Sequence, residues 1–338
     1  MIKISHEIDL KNKCIRTDLA IELTDNKARI DDGNIKITDI KLSKKEAEKI
    51  GKKEGTYITI EYSDITDYEN REKVKTVFVE ELKKMIKKVE FKDEDICLII
   101  GLGNEKSTPD SLGPLVIEKT LVTNHLYMYD SLEEGYKRVC KISPGVTGET
   151  GIETSDLIKE TVNTIKPKLV IVIDALAASS IDRVNKTIQM TNAGINPGSG
   201  IGNKRKEISK ESLKVPVIAV GVPTVVDAAS IVNDTISYMY SHFSYQKTNY
   251  NNPKNKLMTN VNYLKYKSDK IDKADRQNLF GLLGTLSEED TKKLIYEILN
   301  PIGYNLMVTP KEEDFIVQKL SELISEGINL TLHKKMSS

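Results

Sequence analysis

Three runs along the chain are apolar almost without interruption and rich in Val and Ile: ICLIIGLG (96–103), KLVIVID (168–174) and VPVIAVGVP (215–223). Strands buried on both faces of a parallel sheet read this way. Stretches with helical spacing separate them. SLGPLVIEKTL follows the first run, TSDLIKETVNTIK precedes the second, and TVVDAASIVNDTISYMYSHF follows the third. Strand–helix alternation of this kind predicts a doubly wound α/β fold with a mostly parallel sheet flanked by helices. Upstream the period changes. RIDDGNIKITDIKL and GTYITIEYS alternate apolar and polar residues, as half-buried strands do, around a short helix closed by glycine, KKEAEKIGKKEG. Residues 72–90 space Val74, Phe78, Leu82 and Ile86 four apart, the stripe of an amphipathic helix. Late in the chain, LSEEDTKKLIYEIL and EEDFIVQKLSELISEGI predict two more helices, the first capped by Ser287 with Asp290 three residues on.

These patterns divide the chain into a polar segment over 1–18, read as a tail or pro-segment, a β-rich layer over 19–75, and an α/β catalytic domain over 76–335. Within the last, 244–275 is rich in Asn, Lys and Tyr and lacks aliphatic periodicity, which predicts a mobile insertion.

Composition narrows the class of function. Fifty basic residues balance fifty acidic ones, so the net charge is zero and no direct binding to nucleic acid is expected. The three cysteines, Cys14, Cys97 and Cys140, are too few for a disulfide framework, and no secretory h-region opens the chain. The longest apolar runs fall short of the roughly 18 residues of a membrane span. A cytoplasmic protein with no membrane contact is the expectation.

Two carboxylates stand out. Asp110 lies in GLGNEKSTPDSLGP, directly after the first buried run, and Asp174 closes the second. A helix cap is the bland account of Asp110, and a cap or an ion-pair partner that of Asp174. Both, however, sit past the carboxyl ends of predicted strands, where open α/β sheets bind ligands. Two carboxylates in one crevice cannot both ionise cheaply, which leaves one as acid and the other as base toward water. Amide hydrolysis needs that pairing. The Gly101–Gly103 turn lacks a third glycine at 106, so the dinucleotide fingerprint fails. Its backbone, with Asn104, is instead a candidate substrate or oxyanion contact. So is the loop TNAGINPGSGIGNKRKE (191–207) through Gly198 and Gly200. A solvated turn is the alternative there. The four histidines are dispersed, with no HExxH, and G-x-S-x-G does not occur, so neither a metal nor a cofactor is expected.

Taken in order, GLGN…TPDSLGP, GETGIETSD, IDALAA, RVNKTIQ, PGSGIGNKRKEIS, VPTVVDA and PIGYNLMVTPKE resemble the germination protease family of spore-forming bacteria, over roughly residues 14 to 332. The resemblance implies an endopeptidase that degrades small acid-soluble spore proteins in the spore core. It implies a fold similar to that of the hydrogenase-maturation peptidases and a homotetramer. It also implies two essential aspartates at Asp110 and Asp174, and synthesis as a self-processing zymogen. Family substrates are cut after an acidic residue that precedes an apolar residue and alanine. IRTDLAIE offers that order, which predicts autocleavage between Asp18 and Leu19. Two other readings stay open: a carboxylate-bound metallopeptidase on the same fold, and a non-enzymatic protein that binds spore proteins.

Overall fold

The computed structural model describes residues 17–24, 29–31, 35–129, 133–198, 206–249, 273–299 and 306–336. The strands are β1 (Arg29–Asp31), β2 (Ile35–Leu42), β3 (Gly55–Glu61), β4 (Ile96–Gly101), β5 (Arg138–Ile142), β6 (Leu169–Ala178), β7 (Thr187–Thr191), β8 (Val217–Asp227) and β9 (Met307–Val308). The helices are α1 (Lys44–Lys49), α2 (Tyr68–Lys87), α3 (Leu112–Lys119), α4 (Asn124–Met128), α5 (Thr147–Thr150), α6 (Thr154–Ile165), α7 (Lys210–Leu213), α8 (Ala228–Asn249), α9 (Lys273–Phe280), α10 (Glu288–Leu299) and α11 (Glu313–Leu332).

The chain forms two compact units, and residues 17–178, 182–225 and 309–336 belong to the larger. Its sheet runs β1-β2-β3-β7-β8-β6-β4-β5. β4 pairs parallel with both β5 and β6, whereas β1, β2, β3 and β7 are joined by antiparallel pairings. The sheet is therefore mixed. The β-rich segment over 19–75 adds its three strands edge-on to the same sheet, through the β3–β7 pairing.

Both faces are covered, as continuous apolar strands require. Ile99, Ile171, Ile173, Val220 and Met190 pack on one face against Phe78 and Leu82 of α2, Val116 of α3 and Leu320 of α11. Leu98, Ile100, Val170, Val172 and Val217 pack on the other against Ile158 and Val162 of α6. This is the doubly wound α/β arrangement. Local signals fix the helix starts. Asp67 accepts the Asn70 amide at 2.8 Å to cap α2, and Ser43 and Glu46 form a capping box on α1.

Three boundaries differ from the sequence expectation. β6 runs four residues beyond Asp174, to Ala178, so the carboxylate interrupts the strand rather than ending it. β8 likewise continues to Asp227, and α8 starts at Ala228 rather than at Thr224. Of the mobile insertion expected over 244–275, residues 244–249 belong to α8 and 273–275 to α9, while the remainder lies outside the described residues. The last turns of α8 bury Ser241 and Tyr245, a polar stripe that aliphatic periodicity does not register.

The smaller unit holds the described residues of 226–308 together with 179–181. In it β9 pairs antiparallel with Val226 and Asp227. Asp227 accepts the Ala229 amide at 2.7 Å at the start of α8. Ser287 accepts the Asp290 amide at 3.0 Å and caps α10 as expected. Among the described residues no helix is long and apolar enough to cross a membrane.

Candidate active site

The register of the sheet sets out the site. Gly101 of β4 pairs with Ile173 of β6, and the Leu102 amide donates to the Ile173 carbonyl at 2.8 Å. Leu102 thus stands beside Asp174. On the other side of β6, the Val170 amide donates to the Pro216 carbonyl at 3.0 Å, and Val170 and Val217 share one apolar cluster. Carried four residues along both strands, that register sets Asp174 beside Gly221. Gly221 in turn pairs with Gln189 of β7. Leu102, Asp174, Gly221 and Gln189 therefore form one row across four neighbouring strands, on the face of Val170 and Val172. Two strand spacings, about 9–10 Å, separate Asp174 from Gln189. The residue between them has no side chain. A Cβ on Gly221 would lie 2.5 Å from the Leu176 side chain.

Asp110 reaches this row from the β4 end. It closes a 3-10 turn, Thr108–Asp110, that packs on β6. The Asn104 amide donates to both the Asp110 carboxylate and the Asp110 carbonyl, each at 3.0 Å. Asp110 is not the cap of α3, whose N-cap residue is Ser111 with no side-chain cap bond. The turn is braced from behind, since Thr224 Oγ1 donates to the Pro109 carbonyl at 2.6 Å and Thr309 Oγ1 to the Thr224 carbonyl at 2.9 Å. Glycine is required around it. Gly103 has φ of +117°, and a Cβ there would lie 2.0 Å from the Asp110 carbonyl oxygen. A Cβ on Gly101 would lie 2.3 Å from the Gly113 carbonyl, at the close crossing of β4 and α3. Asp174 is 5% exposed and Asp110 is half-buried.

The Thr17–Leu23 segment lies on the same sheet. The Asp18 amide donates to the Ala177 carbonyl at 2.9 Å, and the Ala177 amide donates to the Asp18 carboxylate at 2.9 Å. Ala177 is three residues past Asp174 on β6. Gln189 clamps the next two peptide groups: its Nε2 donates to the Asp18 carbonyl at 3.1 Å and its Oε1 accepts the Ala20 amide at 2.7 Å. Leu19 and Ala20 are fully buried, Ala20 among Ile40, Tyr57 and Ala193. Lys52 Nζ donates to the Thr17 carbonyl at 2.9 Å. Burial pushes the Lys52 ammonium below its ordinary pKa, and the fields of Asp18 and Glu22 oppose that shift. Glu22 accepts from Thr17 and lies 3.5 Å from Arg183 Nε, while Arg183 Nη1 holds Glu61 at 2.6 Å.

Of the residues singled out in the sequence, Gly101, Gly103, Asn104 and Asp110 thus lie together at and past the end of β4, Asp174 stands beside Leu102 within β6, and Asp18, next to Leu19, is bonded to Ala177 further along β6. The Asn104 amide is engaged by Asp110. Gly198 (φ +70°) lies in a turn after the Ile195–Ile208 bridge, and Gly200 lies outside the described residues. Among the described residues no group of three or more His, Cys, Asp or Glu is placed to hold a metal ion. Cys97 is buried, which pushes its thiol well above the ordinary range. Gln189 and Gly221 escape a reading of the sequence. The available signal was a lone glutamine in TIQMT, where all five positions are buried.

A family model described as germination protease matches residues 6–338. The germination protease of Bacillus subtilis (strain 168) is 44% identical, with 98% of this chain and 96% of that one aligned. That of Bacillus velezensis is 42% identical, over 98% and 97%. Among solved structures, a [NiFe] hydrogenase maturation protease, HycI of Thermococcus kodakarensis, aligns at a TM-score of 0.27 and 16% identity, covering 39% of this chain and 76% of that one. A family model spanning nearly every residue, and relatives matched end to end at over two-fifths identity, place this chain in the germination protease family.

Proposed function

We propose that this protease is an endopeptidase of the spore core that first cuts its own chain between Asp18 and Leu19. It then cuts small acid-soluble spore proteins after acidic residues, with Asp110 and Asp174 as its acid–base pair. The observation that carries the reading is the seat of Thr17–Leu23. An Asp-Leu-Ala segment lies along β6 three residues past Asp174, with its Asp18 peptide bonded on both sides. Removal of residues 1–18 by the chain's own site is the zymogen step. Assembly as a tetramer belongs to the same proposal.

In the reaction, one carboxylate of the pair takes a proton from water, whose oxygen forms a bond to the Asp18 carbonyl carbon. The carbonyl π pair moves onto oxygen. Collapse of that oxyanion breaks the C–N bond, and the other carboxyl group gives its proton to the leaving Leu19 nitrogen. A neutral acid and an ionised base in one site are what two adjoining carboxyl groups favour. Substrates that are disordered once off DNA reach such a site without any unfolding step.

The test is incubation of the purified chain with a small acid-soluble spore protein, followed by mass spectrometry of the fragments. Cuts after Asp or Glu, ahead of an apolar residue and Ala, are expected, and their rate should be unchanged by a chelator. Chelator-sensitive cutting restored by a divalent ion would instead support a metallopeptidase. An intact substrate would support a binding protein without catalysis.

A further inference from the structure

We infer that Gln189 is a catalytic residue of this site, with its Nε2–H stabilising the oxyanion that forms on the scissile carbonyl. The inference deepens the proposed function and rests on Asp18–Leu19 being a bond that the site cuts. No motif for the chemistry points to this residue; only the register of β7 against β8 and the seat of the Thr17–Leu23 segment bring it forward.

Four observations converge. Gln189 shares a row and a face with Asp174, with only Gly221 between them. Its Nε2 donates to the Asp18 carbonyl oxygen at 3.1 Å, and that oxygen becomes negative when water adds to the carbon. Its Oε1 accepts the Ala20 amide at 2.7 Å, which fixes the amide orientation so that the nitrogen, not the oxygen, faces the carbonyl. Finally, Gln189 is 5% exposed, so the donor acts where water competes little and the charge–dipole attraction is strong.

The clamp also sets the register of the cut. A single side chain that grips the carbonyl before the scissile bond and the amide of the second residue after it measures the peptide across Leu19. Only a bond placed one residue before that gripped amide presents its carbonyl to Nε2. Gly221 leaves its space to the buried Leu176 side chain, which covers the strand between Gln189 and Asp174. A Cβ there would press on Leu176 at 2.5 Å.

The experiment uses the full chain with two variants, Gln189→Glu and Gln189→Ala. Self-cutting is followed by intact mass. Cutting in trans is followed on an extended peptide with the order Asp-Leu-Ala-x-Glu, with kcat and KM measured separately. Glutamate keeps the size and the acceptor but loses the N–H donor; alanine loses both. Loss of one oxyanion donor lowers kcat about 100- to 1,000-fold. Both variants are therefore expected to lose kcat on that scale, with KM within about threefold of wild type for the glutamate variant. A raised KM with kcat intact would make Gln189 a binding clamp only and overturn the inference. So would a glutamate variant that cuts as fast as wild type. If the wild type itself leaves both Asp18–Leu19 and the peptide intact, the endopeptidase reading falls and this inference with it. If the wild type cuts both, only the role of Gln189 is at stake.

Discussion

Replacing Asp110 or Asp174 by Asn removes one proton acceptor and leaves shape almost unchanged. Each substitution should lower peptide cutting by a factor of about a thousand, within the 10²–10⁴ typical of a single proton-transfer group. Thermal unfolding should shift little. A second residue-scale prediction concerns charge reading. Glu22 lies four residues after Asp18 and meets Arg183. Arg183→Glu should slow self-cutting several-fold, and combining it with Glu22→Arg should recover only part of the loss, because the carboxylate then at 183 still faces Glu61. Time courses of intact mass check both. Asp110 and Asp174 could be singled out as candidates because each follows a Val/Ile run at the carboxyl end of an expected strand. Gln189 and Gly221 could not, because TIQMT and VIAVGVP read as ordinary strands. Only the pairing of β7, β8 and β6, set by residues far apart in the chain, brings them level with Asp174.

At the scale of elements, the Gly101–Gly103 turn and helix α3 form one packed joint, and its steric limits are sharp. Gly103→Ala places a Cβ 2.0 Å from the Asp110 carbonyl oxygen at a φ of +117°. The turn that carries Asp110 must then move, at a cost of about 1–3 kcal/mol of stability and most of the activity. Gly221→Ala meets the body of the buried Leu176 side chain, with Cδ1 at 2.5 Å and Cγ at 2.6 Å. Leu176 and the strand that carries Asp174 must then shift, which should cost about 1–3 kcal/mol of stability and reduce cutting. Chemical denaturation alongside peptide kinetics checks both substitutions. The core strands and helices α2, α3, α6 and α11 were legible from period and β-branching. The ends of β6 and β8 were not: Ala175–Ala178 and Thr224–Asp227 look equally fit for a helix, and their neighbours in the sheet decide. The end of α8 was hidden for the converse reason, since it buries Ser241 and Tyr245 in place of aliphatic residues.

At the scale of the whole molecule, stability should depend on pH through His333 beyond the end of α11. Its ring is fully buried, its Nδ1 accepts the Lys137 amide at 3.2 Å, and burial lowers its pKa from 6.5 to about 4. The folded state therefore holds the ring neutral while the unfolded chain binds a proton below pH 6.5. The stability contributed by the neutral ring is complete above that value and is lost as pH falls toward about 4, by roughly 3 kcal/mol in all. Denaturant midpoints between pH 8 and about 4 should fall accordingly. His333→Gln, which keeps an acceptor for the Lys137 amide, should flatten that slope. The boundary at residue 75, read from the change of period, falls inside α2. β1–β3 belong to the same sheet as β4–β8, a continuity that depends on the β3–β7 pairing across more than a hundred residues of sequence.

The most direct test of the whole account is the intact mass of freshly made full-length chain, followed over time beside its Asp110→Asn and Asp174→Asn variants. The account predicts that wild type alone loses the mass of residues 1–18, leaving a chain that begins at Leu19. Loss of that same segment by either variant at the wild-type rate would contradict it.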